Sequence, residues 1–181
     1  MINHGKTLVY IGEVEMKVTT YIAIVFLFLL GTSELMAGNG KGRPFNEANF
    51  RAELSGDQEV PPVVVNTYGE AKFIDNGDGT VDFELELEDA ENALGGPGAH
   101  IHCAPAGANG PVVVFLAGGS VPGFDGHLEI KGTFSEVSVV NDACGATIEA
   151  LLESMANGQT YVNVHSTDFP PGAVRGQIYL Q

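Results

Sequence analysis

The chain has 181 residues, of which 23 are Asp or Glu and 8 are Lys or Arg, giving a formal net charge of −15 at pH 7. A surface of this sign repels nucleic-acid phosphates and anionic lipid headgroups, so neither is expected as a partner. The length suits one domain of ordinary size, large enough to bury a substantial core.

Residues 1–37 have the features of an export signal. An unbroken apolar run at 21–30 follows Lys17, and it has the length of a signal-peptide core rather than of a bilayer-spanning helix. Small residues come next, and the bond between Ala37 and Gly38 is a suitable cleavage point. We therefore predict a signal peptide over 1–37, with a retained N-terminal anchor as the alternative.

Cleavage there would leave 144 residues, of which 38–47 form a flexible, glycine-rich leader and 48–181 a single domain. The starting methionine is open between Met1 and Met16, because Met16-Lys17 also has the pattern of a signal-peptide start. The predicted location is secreted or periplasmic, with no membrane attachment after cleavage.

The chain has two cysteines, Cys103 and Cys144. Because an exported chain enters an oxidising compartment, a disulfide between them is expected. The loop that it closes has about 42 residues, which corresponds to about 4 kcal/mol of stabilisation from chain entropy. Two free thiols that act as soft metal ligands are the alternative.

Short apolar or alternating segments, separated by glycine-rich turns, predict strands along most of the domain. In chain order they lie at 48–54, 69–74, 80–87, 99–102, 111–116, 128–134, 161–165 and 174–180. The strand at 80–87 alternates between apolar and acidic side chains, so one of its faces should be buried. Its acidic face is expected to be solvated surface rather than a calcium site.

One segment has the helical period instead. Ile148, Leu151, Leu152 and Met155 recur at i, i+3, i+4 and i+7, and Gly158 is placed to end the helix. Many short strands with one short helix predict an all-β fold, either an antiparallel β-sandwich or a flattened Greek-key barrel.

Four histidines follow the predicted cleavage point: His100, His102, His127 and His165. Alternate residues of a strand share a face, so His100 and His102 point the same way and can converge on one ion. His127 precedes the strand at 128–134, and His165 closes the one at 161–165. Imidazoles without thiolate suit Cu(II) or Zn(II), and copper is the stronger binder. For each histidine alone, a surface or structural role is the alternative.

Several motifs of the domain together carry a family resemblance. They are Leu54-Ser55-Gly56 with Glu59-Val60-Pro61-Pro62, Ala99-His100-Ile101-His102 with Gly107 and Asn109-Gly110-Pro111-Val112-Val113, Gly158 with Tyr161-Val162-Asn163-Val164-His165, and Pro171-Gly172 with Val174-Arg175-Gly176-Gln177-Ile178. Over residues 50–181 the chain resembles the CHRD domain, the module named from chordin and widespread in exported microbial proteins. The resemblance implies a compact β-rich domain and no particular activity.

The histidine pattern also resembles the copper half of copper–zinc superoxide dismutases. By that resemblance His100, His102 and His165 would be copper ligands, with His127 a fourth ligand or a neighbour. Arg175 would be the catalytic guanidinium that attracts and orients superoxide. The sequence has no further histidine cluster for zinc, so such an enzyme would use copper alone.

The favoured function is therefore an exported copper-binding protein with superoxide dismutase-like redox activity, in which copper cycles between Cu(II) and Cu(I). Its partners would be the metal ion and superoxide, and its oligomeric state is open between monomer and homodimer. A non-catalytic copper or zinc carrier or buffer would need the same ligands but not Arg175, which could instead pair with Asp168. An extracellular binding or structural module would need no metal. Asn163 and Gln177 are candidates for orienting the imidazoles.

Overall fold

The computed structural model describes residues 7–10, 44–45, 49–93, 98–117 and 123–181, the first of these ranges by its backbone alone. Within them the chain forms ten strands and one α-helix, α1, at Ile148–Ala156. The strands are β1 Thr7–Tyr10, β2 Phe50–Ser55, β3 Tyr68–Asp75, β4 Thr80–Ala93, β5 Ala99–Cys103, β6 Val112–Ala117, β7 Phe124–Ser135, β8 Thr160–Val164, β9 Val174–Gln177 and β10 Tyr179–Leu180.

The strands form one sheet in the order β1-β7-β4-β3-β2-β9-β8-β5-β6, with β10 paired to β2. Every pairing is antiparallel except that of β1 with β7. Isolated bridges from Ala93 to Ser166 and from Val114 to Val139 bring distant parts of the sheet together, so that it nearly closes as a barrel. The predicted all-β fold with a single short helix is confirmed for the described residues.

The alternation of β4 supplies much of the core. Val81, Phe83, Leu85 and Leu87 are all buried, as predicted from their period. The acidic face differs from the prediction at Glu84, which is also buried, because the ammonium groups of two lysines contact its carboxylate. Beyond Leu87 the alternation ends, yet the strand continues to Ala93 through two shifts of register against β7.

The helix and the disulfide are confirmed. Ile148, Leu151 and Met155 are buried, and Gly158 adopts the positive φ of 64° just beyond the last turn. Cys103 at the end of β5 is bonded to Cys144, 41 residues later in the sequence.

The predicted strand at 174–180 is instead two strands, which separate at Ile178. The side chain of Ile178 is fully buried, and its backbone N–H donates to the carbonyl of Thr160. β9 therefore pairs with β8, while β10 turns to pair with β2. This arrangement places Arg175 and Gln177 beside β8.

The predicted signal peptide and leader lie outside the described residues, except for β1 and residues 44–45. The backbone of β1 pairs in parallel with residues 128–131 of β7. A helix with the length and apolar character needed to cross a membrane is not found in the described part of the chain.

Candidate metal centre

The register of β5 against β8 brings three histidines together. His100 lies opposite Asn163 and His102 lies opposite Tyr161, and the backbone N–H of His165 donates to the carbonyl of Gly98. Because alternate residues share a face, all of these side chains lie on one face of the two strands. The other face carries apolar residues of the core such as Ile101 and Val162.

Every residue of β8 is buried, which is unusual for a strand that carries a polar face. The explanation is that loops cover this face: their carbonyl groups at Gly110 and Pro170 accept hydrogen bonds from His102 and His165. The three histidines therefore lie between the sheet and its covering loops, with His100 2% exposed and His165 7% exposed.

The distances between the ring nitrogens suit a single ion. Nδ1 of His100 lies 3.1 Å from Nε2 of His165, and one nitrogen from each of the three rings lies within 4.8 Å of the others. Two nitrogens that are each about 2.0–2.1 Å from one ion, at angles of about 90–109°, are roughly 2.8–3.4 Å apart. The separation of His100 and His165 falls in that interval. In the structure Nδ1–H of His100 donates a hydrogen bond to Nε2 of His165, so His100 must move this hydrogen to its other nitrogen before both rings can bind one ion.

Backbone carbonyls determine the tautomers of two of the rings. Nδ1 of His102 donates to the carbonyl of Gly110 at 2.9 Å, and Nδ1 of His165 donates to the carbonyl of Pro170 at 2.7 Å. A carbonyl only accepts, so Nδ1 carries the hydrogen and Nε2 presents a lone pair. Nε2 of His102 is buried and has no hydrogen-bond partner among the described residues. A metal ion would satisfy this nitrogen, so the donor set fits a metal.

The protonation states of His102 and His165 also favour metal binding. Burial lowers the pKa of the His102 imidazole, although its hydrogen bond to Gly110 opposes the effect. Burial also lowers the pKa of His165, against the opposing hydrogen bond to Pro170. Both rings are therefore neutral near pH 7, and a neutral imidazole is the form that binds metal.

The structure does not bring His127 into this cluster. Its Nδ1 lies 2.7 Å from Oε1 of Glu88, and its side chain is 26% exposed. His127 belongs to β7, which pairs with β4, whereas the clustered histidines belong to β5 and the end of β8. The count of histidines in the sequence does not reveal this difference of location.

Arg175 is buried beside the cluster without touching it. Its guanidinium lies 3.5 Å from the centre of the Tyr161 ring, and that ring stacks on His102 with a centroid separation of 4.8 Å. Because β8 lies between β9 and β5, the ring of Tyr161 separates Arg175 from His102. The guanidinium donates to Asn109 Oδ1 and to the carbonyls of Pro105 and Ala108.

The alternative partner for Arg175, Asp168, instead accepts a hydrogen bond from Asn92. The two residues expected to orient the imidazoles also have other partners. Gln177 donates to the carbonyls of Ala104, Gly158 and Thr160. Asn163 donates to Glu59 and to the carbonyl of Val174. The orienting role belongs to the loop carbonyls.

Glu59 is a residue of this region that the sequence does not single out as functional. It is 8% exposed, and its Oε1 accepts a hydrogen bond of 2.6 Å from Asn163. Burial raises the pKa of Glu59 to about 7, against the opposing effects of Asn163 and Arg175. In the sequence, Glu59 is marked only by its place in the Glu59-Val60-Pro61-Pro62 motif, and this motif does not indicate a functional role for the carboxyl group.

A second cluster of carboxylates consists of Glu84, Glu86 and Glu129. Lys72 contacts Glu84 and Glu86, while Lys131 contacts Glu84 and Glu129. Because each of these carboxylates already contacts at least one ammonium group, the cluster is best described as an ion-pair network on the sheet.

The fold and the site together define a barrel-like β-domain, with a candidate three-histidine metal centre on the face of the sheet that the loops cover. The family model of the CHRD domain matches residues 50–178. The chain therefore belongs to the CHRD domain family, whose members occur in extracellular or secreted proteins. No curated protein and no solved structure matches the chain significantly.

Proposed function

We propose that this protein is an exported copper-binding CHRD protein, in which His100, His102 and His165 hold one ion. The observation that supports it best is the convergence of three imidazole nitrogens within 4.8 Å. Loop carbonyls keep Nε2 of His102 and of His165 free of hydrogen, so these nitrogens need no change of tautomer to bind metal.

Copper is the favoured ion because of the donor set. The two cysteines are bonded to each other, so no thiolate is available. Imidazole nitrogens bind copper more strongly than the other divalent ions of the first transition row, with zinc next in suitability. A site with three protein ligands also leaves a position for an exogenous ligand.

Superoxide dismutase-like activity is the catalytic form of this proposal. Copper, when bound, would supply a one-electron redox couple. The protein would hold the ion on a rigid strand pair and limit its exposure to water. Arg175 would contribute positive charge from behind Tyr161, acting as a positioning residue rather than touching superoxide.

A copper or zinc carrier or buffer is the second candidate, and the environment of Arg175 favours it. Three acceptors already engage the guanidinium. A buried cation that serves the fold in this way need not take part in turnover.

Metal content tests the binding proposal. Elemental analysis and electron paramagnetic resonance of the purified protein should give about one copper per chain with nitrogen ligation. The double variant His100→Ala/His102→Ala should lose the metal, whereas His127→Ala, the matched control, should keep it. Absence of stoichiometric metal in a folded wild-type protein, even after incubation with copper, would refute the proposal.

Dismutation by the copper-loaded protein separates the two candidates. If the protein is a dismutase, it should dismutate superoxide faster than the same amount of copper in buffer. The variant His100→Ala/His102→Ala should lose this activity. A copper-loaded protein with no rate above this background would reject the dismutase and leave the carrier.

A further inference from the structure

A cleft of about 340 Å³ opens beside the three-histidine cluster. Its wall includes His102 and the aromatic ring of Tyr161, which stacks on His102. Phe169, Val63 and Pro171 make the rest of the wall largely apolar. The volume lies at the lower end of the range for small-molecule sites, so a ligand of one ring is the right size.

Glu59 is the acidic group of this cleft, and the structure holds it in place. Its side chain is more than nine-tenths buried, and Asn163 donates to its Oε1. A Cβ atom at Gly172 would lie 2.6 Å from both Glu59 Oε1 and Asn163 Nδ2, so the glycine leaves space for this pair. Among the described residues, Asn163 is the one hydrogen-bond donor to the carboxyl group, which retains capacity to accept another.

The charges around the cleft select for a neutral ligand. An anion would meet the carboxyl group of Glu59 and the acidic surface of the protein. A cation would be attracted by Glu59 and the acidic surface, but it would be repelled by Arg175, whose field acts on Glu59, and by any ion held by His102. A neutral molecule that donates one hydrogen bond to Glu59 and places an aromatic ring against Phe169 and the edge of Tyr161 meets none of these costs.

We propose that this cleft binds a neutral hydroxyaromatic molecule of the phenol class, with its hydroxyl group on Glu59 and its ring beside the stacked pair of Tyr161 and His102. Binding to the cleft is independent of the metal. The position of the ring next to a copper ion rests on the proposed function.

The test uses phenol as the probe and anisole as the matched ligand without a hydroxyl donor. Chemical-shift titration of the metal-free, isotope-labelled protein should show saturable binding of phenol, with shifts at Tyr161, Phe169 and Gly110. Anisole should bind at least about five-fold more weakly, because it leaves the acceptor on Glu59 unsatisfied.

Glu59→Gln keeps an oxygen for Asn163 and turns an NH₂ donor toward the cleft, so phenol affinity should fall by at least about five-fold. Glu53→Gln, at an exposed glutamate of β2, is the matched control and should bind phenol as the wild type does. Equal affinities of phenol and anisole, no effect of Glu59→Gln, or no saturable binding would each overturn the proposal.

The copper-loaded protein tests whether the bound phenol lies beside His102. Bound Cu(II) should broaden the ring-proton signals of phenol well beyond the effect of free copper, and zinc-loaded protein should not. Saturable binding without broadening, in a protein shown to hold copper, would overturn the placement beside His102. Failure to bind copper would count against the proposed function alone, since the titration of the metal-free protein stands by itself.

Discussion

Glu59 should make the stability of the protein depend on pH in a direction opposite to that of most carboxyl groups. Its pKa is raised from about 4.5 to about 7 in the folded state, chiefly by burial. Between these values the folded protein holds a proton that the unfolded chain releases, so the free energy of unfolding falls as pH rises. The contribution is fully present below about pH 4.5 and is lost above about pH 7.

The size of the effect follows from the shift. A change of 2.5 pH units, from 4.5 to about 7, corresponds to about 3 kcal/mol at roughly 1.4 kcal/mol per unit. Glu59→Gln is neutral at every pH and keeps an oxygen that can accept from Asn163. Relative to the wild type, the variant should therefore gain about 3 kcal/mol of stability between about pH 4.5 and pH 8.

The measurement is urea unfolding of both proteins across this range, with the disulfide intact and metal removed by a chelator. His102 and His165, whose pKa values are lowered, contribute in the opposite direction, but equally in both proteins. The difference between the two curves therefore isolates Glu59. A difference that stays constant within about 1 kcal/mol would refute a buried, proton-holding carboxyl group at this position.

Three further outcomes are expected. Gly172→Ala should destabilise the fold by about 1–3 kcal/mol in urea unfolding, because its φ is 147° and the new Cβ would lie 2.6 Å from Glu59 and Asn163. Gly107→Ala, at a φ of 77° with open space around it, should cost less, and equal losses would contradict the contact argument. Replacing both bonded cysteines by serine should lower stability by about 4 kcal/mol in the same assay, and an unchanged midpoint would exclude a stabilising disulfide. Copper affinity, followed by titration, should persist below pH 6.5 because the pKa values of His102 and His165 are lowered. Loss of copper binding already above pH 6.5 would count against neutral, buried imidazoles at these two positions.

The parts of the structure that follow from local patterns could be predicted from the sequence. The alternation at 80–87 and the helical period that begins at Ile148 each depend on residues close together in the chain. The same parity rule places His100 and His102 on one face. The disulfide follows from composition and from the predicted export, because the sequence has only two cysteines.

The parts that depend on long-range packing could not be predicted in this way. Glu59 meets Asn163 across 104 residues of sequence, and its pKa depends on loops whose closure has no periodic signal. Arg175 lies in the predicted last strand, but its sequence position does not show that its guanidinium lies over the ring of Tyr161, which itself stacks on His102. A count of histidines treats His127 like the other three. Only the strand order shows that His127 lies on a different part of the sheet.

One face of β8 packs in the core and the other forms part of the candidate site, so the two faces can change independently. Val162 and Val164 pack in the core, whereas Tyr161, Asn163 and the adjoining His165 face the covering loops. The chemistry of the centre can therefore change without altering the packing on which folding depends. A natural or designed relative could exchange the loops near Gly110 and Pro170 and acquire a different ion preference or ligand on the same barrel. In such a relative the site would differ while the packing of Val162 and Val164 in the core stayed the same.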